Sequence, residues 1–496
     1  MLELLNAFGL LSINQVASLI FGLVRTKLIA SLVGQAGVGI VSQATTFMQL
    51  LKQISTMGLG GGFVKLVAEY DSQGEHVRLK KIIFTVFTVF GIIGLVEALL
   101  CFIFAEPIAA WAFDDPQQAP LVMIVGLAGL MFVQYRVVLY LFQGLLKWRE
   151  FVITSIAGYG ISLFITIPLI ILQGTFGAVL SILITQAFNL FISILVLQRT
   201  VITPKKLTFW RSGLDTESVK RLMHFMGPLT TVAVLNTFAN FYIRSDIIRQ
   251  LGTEANGIYD VIWKISIAYM GLITGALFSY GVPKVSTMLD DPKAMIKIQN
   301  HELRLGILIL SPLVIGLMTL REIWIPILYS SEFLLAGSFL VWQLGGDMFR
   351  MARQTINLTL VPLERFGYIY FDGILYSAGW ALLSKLLIPQ MGIVAVPLSY
   401  FIINIVATAA GTIYQFRTTS YRIGRTNLIL LAKATPLVVA GMLIAQQVPD
   451  ILVRTAAVGA IVLLMLVWLP RRDEYQDLIK LVRDQITAFQ NSKKTS

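Results

Sequence analysis

The stretch Phe151–Gln198 reads FVITSIAGYGISLFITIPLIILQGTFGAVLSILITQAFNLFISILVLQ, forty-eight residues without one charged side chain. As one helix it would be about 70 Å long, more than twice the roughly 30 Å hydrocarbon core of a bilayer. The chain must therefore cross, turn and cross again. Gln173-Gly174-Thr175 is the one place inside the stretch where an apolar run is punctuated by a glycine between polar residues. The pattern predicts two spans, 151–172 and 176–198.

Outward from this pair the pattern repeats. Apolar runs of about twenty residues follow one another through the 496-residue chain, which is 56% hydrophobic and only 13% charged. Its mean hydropathy is +0.77. Soluble domains carry about 25% charged residues. The reading is an all-α polytopic membrane protein with about fourteen transmembrane helices. The first, 6–32, is a membrane helix rather than a cleaved signal, because it has no basic start and no A-x-A site.

The formal charge of +12 would suggest nucleic acid in a soluble protein. Here the basic residues are strung between apolar runs, and orientation explains them. Lysine and arginine crowd one set of connections: Arg78 to Lys81, Lys147 and Arg149, the 199–221 and 284–304 loops, Arg365, 417–425 and 471–494. The opposite connections hold Arg321 alone, with Glu106, Asp114, Asp115, Glu254 and Glu332. The positive-inside rule then predicts both termini in the cytoplasm. No nucleic-acid partner, cofactor or metal is expected. Cys101 is the only cysteine, the three histidines have no metal spacing, and no GxxxxGK[ST] loop occurs.

Weak self-similarity recurs at a period of about 215–219 residues. Arg25…Gly34…Gly39-Ile40 resembles Arg244…Gly252…Gly257-Ile258, and Phe63-Val64-Lys65 resembles Val282-Pro283-Lys284. Glu106 matches Glu322, Arg149 matches Arg365, and Gly177-Ala178 falls opposite Gly392-Ile393. Such a period spans six helices, so the two repeats share one orientation, as in alternating-access transporters built from parallel repeats. The expected organisation is a six-helix lobe over 1–199, a basic cytoplasmic linker over 200–221 and a second lobe over 222–416. Two further helices follow over 417–470, then an amphipathic tail over 471–496.

Charges inside spans are costly and mark cavities or partners. Arg25, Lys27, Arg136, Arg244, Lys264, Arg350 and Arg353 are the candidate substrate-binding groups. Asp246, Asp347 and Asp372 are candidate counter-ions or coupling groups, with Glu97 and Asp260 open to either role. Arg244 and Asp246 have a competing reading as a locally paired, structural set. Lys385, Lys433 and Arg454 read as side chains snorkelling to the interface. The excess of buried cations over acids favours an anionic ligand, because Arg grips phosphate bidentately and Lys supplies a point charge. A drug-cation exporter would want carboxylates instead, and a non-transporting scaffold would need no buried charge. Nothing indicates covalent catalysis, so the chain is read as a non-enzyme.

Several stretches resemble the Wzx-type polysaccharide flippases of the multidrug/oligosaccharidyl-lipid/polysaccharide exporter superfamily. They are Lys27-Leu-Ile-Ala30, Gly34-Gln-Ala-Gly-Val-Gly39, Phe63-Val-Lys-Leu-Val-Ala-Glu-Tyr70, Val341-Trp-Gln-Leu-Gly-Gly-Asp347, Glu364-Arg-Phe366 and Gly392-Ile-Val-Ala395. The likeness covers roughly residues 6–416 and looks closest to the branch serving enterobacterial common antigen and O-antigen units. It implies two six-helix bundles in a V shape in the bacterial inner membrane. It also implies an undecaprenyl-diphosphate-linked oligosaccharide moved outward for lipopolysaccharide-type surface polysaccharide, with a polymerase and a chain-length regulator as partners. The last two helices depart from that twelve-helix pattern; the lipid II flippase branch also has fourteen.

Overall fold

The computed structural model describes residues 2–56, 59–203, 212–215, 217–218, 220 and 227–470. The amphipathic tail and most of the basic linker lie outside the described residues.

Fifteen α-helices run through the described residues. They are α1 (Leu2–Thr56), α2 (Leu59–Ser72), α3 (His76–Ile103), α4 (Ala105–Phe113), α5 (Ala119–Gly144), α6 (Trp148–Leu197), α7 (Pro228–Leu251) and α8 (Thr253–Ser286). Then follow α9 (Pro292–Thr319), α10 (Arg321–Leu328), α11 (Leu340–Ile356), α12 (Phe366–Met391), α13 (Ala395–Thr419), α14 (Arg425–Gln447) and α15 (Ile451–Trp468). Nine described stretches are long and apolar enough to cross a membrane. Three of them run through a glycine with left-handed backbone, Gly34 (φ 66°), Gly174 (φ 56°) or Gly392 (φ 60°), and so hold two crossings each. A side chain at such a φ costs about 1–2 kcal/mol. Adding α7, too polar for that set, and α11, too short for it at 17 residues, gives the fourteen expected.

The left-handed positions also expose the repeat. Gly34 and Gly252, Leu146 and Glu364, and Gly174 and Gly392 all have positive φ, and each pair is 218 residues apart. The turns match in hydrogen bonding too. Lys147 N donates to Phe142 O at 2.8 Å, and Arg365 N donates to Leu360 O at 2.9 Å. These are the same helix-ending bond, again 218 apart. The sequence alignment had set Gly177 opposite Gly392; the backbone pairs Gly174 with Gly392, because the reversal needs the φ that glycine permits.

The chain forms two compact units. One holds residues 1–260, 328–332 and 369–393; the other holds 261–327, 333–368 and 394–496. In the first, α1 packs along α6, α5 and α7, and α3 along α5. Its core includes Phe63, Val67, Leu79, Ile83, Val138 and Phe142. In the second, α11 packs on α13 and α9, while α14 and α15 pack on α9. Local chemistry starts these helices cleanly. Asp291 precedes Pro292 and accepts from the amides of Lys293 (3.0 Å) and Ala294 (3.1 Å), an N-cap in front of proline. Asp450 caps α15 in the same way, accepting from Leu452 N and Val453 N.

One turn into α15, Arg454 does not snorkel. Its side chain is 1% exposed and its Nη1 donates to Glu322 Oε1 at 2.9 Å. Glu322, 41% exposed, also has Arg321 Nη2 at 3.8 Å. Arg454 faces α10, so Nη1 meets a carboxylate instead of headgroup water, while Nε and Nη2 have no hydrogen-bond partner among the described residues. The Arg454 hydrogen bond holds the Glu322 carboxyl below the ordinary carboxylate range. The pair therefore contributes fully at neutral pH and loses its contribution as pH falls through that lowered value. Glu322→Ala strands a buried guanidinium and should cost about 2–3 kcal/mol, discounted for the partial solvation of Glu322. Arg454→Met should cost clearly less. Thermal unfolding in detergent measures both.

Candidate functional site

Three cations from three spans meet in the first unit. Arg25 lies in α1 before the Gly34 reversal, Lys52 in α1 after it, and Arg136 in α5. Arg25 Nη2 donates to Ser181 Oγ of α6 at 3.3 Å, and Arg25 Nε is buried without a hydrogen-bond partner. Ser181 is itself anchored, donating to Ala178 O at 2.6 Å and lying 3.2 Å from Thr166 Oγ1. Lys52 Nζ sits 4.1 Å from the centroid of the Phe132 ring. Arg136, one turn along α5 from Phe132, donates to Tyr140 OH at 3.1 Å and stacks its guanidinium 4.6 Å from that ring. Arg25 and Arg136 are both close enough to act on Lys52 electrostatically.

Among the described residues no carboxylate comes within ion-pair distance of any of the three. Their neighbours are hydroxyls and ring faces, which orient a cation without neutralising it. Like charges gathered where the dielectric is low repel strongly, and an uncompensated buried charge is expensive. The arrangement suits an anion with several oxygens that supplies the missing charge. At the 218-residue offset the equivalents of Arg25, Lys52 and Arg136 are Ile243, Met270 and Gln354. The cluster belongs to the first repeat alone.

Arg244 differs. It is 1% exposed, and its guanidinium donates to Asn240 Oδ1 (3.0 Å), Ser42 Oγ (3.0 Å), Asn256 Oδ1 (3.2 Å) and Asp260 Oδ1 (3.1 Å). Asp260, not Asp246, is its ion-pair partner; Asp246 accepts from Gln250 Nε2 at 2.9 Å. The geometry is that of a satisfied structural hub. Beside it, Gly39 of α1 and Gly257 of α8 pack reciprocally. A Cβ on Gly39 would stand 1.9 Å from Thr253 O, and one on Gly257 would stand 2.1 Å from Gln35 O. Asn256 Nδ2 donates to Gly39 O at 2.7 Å, pinning the contact. Lys27 Nζ donates to the carbonyl of Tyr329. Asp372 is half-buried on α12.

The second unit carries a carboxylate instead. Asp347 of α11 is fully buried. Ser266 Oγ donates into it (2.8 and 2.6 Å to the two oxygens), as do Tyr400 OH (2.7 Å) and Tyr269 OH. Arg350 Nη1 reaches Tyr400 OH at 3.4 Å and lies close enough to act on Asp347. Arg353, one turn on, is 8% exposed, and Lys264 stands on an exposed part of α8. Thus Arg25 with Arg136 and Asp347 with Arg350 come together. Arg244 is engaged elsewhere. Lys52 sits at the heart of the first set although it is not among the candidate substrate-binding residues; its depth in a span with no acid nearby was the available signal.

The model of the polysaccharide biosynthesis protein family matches residues 28–336. The chain belongs to that family. A curated relative is the lipid III flippase of Escherichia coli K12, 22% identical over 340 residues, 68% of this chain and 80% of that protein. The Shigella flexneri lipid III flippase matches equally. Among solved structures, an inward-facing multidrug resistance MATE family transporter of the MOP superfamily aligns with TM-score 0.71 at 13% identity, covering 84% of this chain and 98% of that one. The lipid II flippase MurJ in an inward closed conformation aligns with TM-score 0.70 at 16% identity, covering 94% and 99%. At such identities these likenesses show the fold. This family member is a polytopic membrane protein with the fold of those two transporters.

Proposed function

We propose that the protein is a flippase for an undecaprenyl-diphosphate-linked oligosaccharide. It moves the lipid from the cytoplasmic to the periplasmic leaflet of the bacterial inner membrane, by alternating access, for surface polysaccharide assembly. The observation that carries this reading is the uncompensated set Arg25, Lys52 and Arg136. A diphosphate brings the negative charge and acceptor oxygens the set lacks. The headgroup cannot cross hydrocarbon alone, because an unpaired ion there costs tens of kcal/mol by Born estimates. The cluster exchanges phosphate hydration for fixed donors while the polyprenyl tail stays in lipid. No bond is made or broken, so the protein is a transporter and not an enzyme.

Asp347, with its three hydroxyl donors and Arg350, is the reading's candidate for ion coupling. Membership in a polysaccharide family supports an oligosaccharide over a drug. A lipid II-type substrate is the second reading, favoured by coverage of 94% of the chain in the alignment with MurJ. Both substrates present the same diphosphate to the same cations and differ in the sugars. Native mass spectrometry of the protein drawn from its own membrane tests the reading. A bound polyprenyl diphosphate glycolipid should be present, and depleted about tenfold or more when Arg136 becomes Gln. Ordinary phospholipid as the sole bound lipid in both would refute it.

A further inference from the structure

Glu302 takes no part in the site above. It lies ten residues into α9, in the second unit, and is 1% exposed. Among the described residues neither carboxyl oxygen has a hydrogen-bond partner. On the facing helix α8, a Cβ at Gly281 would stand 3.4 Å from Cγ and Cδ of Glu302 and 2.9 Å from Leu358 Cδ2. Gly281 thus places the backbone of α8 directly over the Glu302 side chain, at van der Waals distance. One turn back, Gln299 is also fully buried. Its amide nitrogen donates to Ile356 O (2.6 Å) and Thr359 Oγ1 (3.3 Å), and its Oε1 has no partner. Residues three apart share a helix face. This face of α9 holds three acceptor oxygens and offers them no donor.

The charged groups on the helices around it include His301 and Arg304 on α9 itself, Lys284 on α8, Arg350 and Arg353 on α11, Arg425 and Lys433 on α14, and Arg454 on α15. Among the described residues none forms a hydrogen bond or ion pair with Glu302. Lys284 and His301 are exposed, and Arg304 is spent on Thr426 O (3.3 Å) and Leu469 O (3.4 Å). An ionised carboxylate sealed in this place would have neither water nor partner, and such a group neutralises instead.

We propose that Glu302 is a proton-binding site that controls whether α8 lies closed on α9. The proton comes from water onto a carboxylate oxygen. It turns that oxygen from an acceptor into the donor this face lacks, and the neutral acid can be covered. Giving the proton back leaves a carboxylate that needs water, so α8 must part from α9. The helix is built to yield there. Pro283 cannot donate to Ser279 O, which removes one rung of α8, and Gly271, Gly275 and Gly281 precede it in the same helix. A proton fits better than sodium, since hard cations gather about six oxygen ligands, whereas Gly281 and Leu358 present hydrocarbon and bare backbone. The closed state binds the proton more tightly, so closure is favoured at low pH and lost as pH rises. Coupling this switch to transport rests on the proposed flippase reading; the switch does not.

The test uses the full-length protein in liposomes without substrate, beside Glu302→Gln, a neutral variant of the same shape. Infrared spectroscopy should show a protonated carboxyl band at neutral pH that shifts in D2O and is missing from Glu302→Gln. Hydrogen–deuterium exchange over 277–286, corrected for the intrinsic pH dependence, should rise at least tenfold with pH in the parent and stay flat in the variant. Absence of the band overturns the proposal, as does equal exchange in the two proteins. Neither readout involves a glycolipid, so failure of the flippase reading would leave both unchanged.

Discussion

Replacing Arg25, Lys52 and Arg136 together with Gln, Met and Gln is expected to abolish glycolipid translocation and at the same time to make the protein more heat-stable. The two effects have one cause. The three cations are neighbours without a described carboxylate among them, so in the empty protein they repel. Neutralising them should raise stability by about 1–2 kcal/mol, the usual sign when a strained functional site is relieved. Each charge-assisted hydrogen bond lost to the diphosphate is worth about 1.5–3 kcal/mol, roughly ten- to a hundredfold in affinity. One substitution should therefore impair binding and three should remove it. Thermal unfolding and a flipping assay on the same preparations check both halves. A merely structural cluster would lose stability and activity together.

Gly39→Val or Gly257→Val should be nearly as damaging, by a different route. Each added side chain would meet a backbone carbonyl near 2 Å, and a carbonyl inside a helix cannot step aside as a side chain can. The α1–α8 contact must open, at a cost of about 1–3 kcal/mol. The orientation proposed from the loop charges puts this contact toward the outer face. The variants should leave that face ajar and lower transport by more than tenfold. In a Cys101→Ser background, a cysteine at Ser42, 2% exposed in the parent, should become open to a membrane-impermeant thiol reagent only when a valine is present. The double variant should be no worse than either single one, since both part the same pair. Additive losses would mean that the glycines act separately.

Much of the fold was legible in the sequence because the bilayer imposes it. Twenty apolar residues must be a helix, and Gly174 could only be a reversal. The repeat was legible in outline, but its register was not. Leu146 and Glu364 share a backbone conformation and no chemistry, so no comparison of letters pairs them. Charges in spans were visible as anomalies, yet their partners were not. Arg244 and Arg25 look alike in sequence. One is closed off by Asn240, Ser42, Asn256 and Asp260, and the other meets a single serine. That distinction depends on residues up to 202 positions away, which periodicity does not report. Glu302 hid for a related reason: beside His301 and Arg304 it reads as one more group in a basic, solvated loop end. Burial separates it from His301, and the lack of a hydrogen-bond partner among the described residues separates it from Arg304.

The central claim is that the first unit's cations carry a polyprenyl diphosphate headgroup across the bilayer. The most direct measurement is translocation of a fluorescent undecaprenyl-diphosphate oligosaccharide in proteoliposomes of the purified protein, read by quenching of the label remaining on one face. The account predicts protein-dependent movement that disappears in the Arg25, Lys52 and Arg136 triple variant and is competed by unlabelled lipid with the same diphosphate. Equal rates in parent, triple variant and empty liposomes would contradict it.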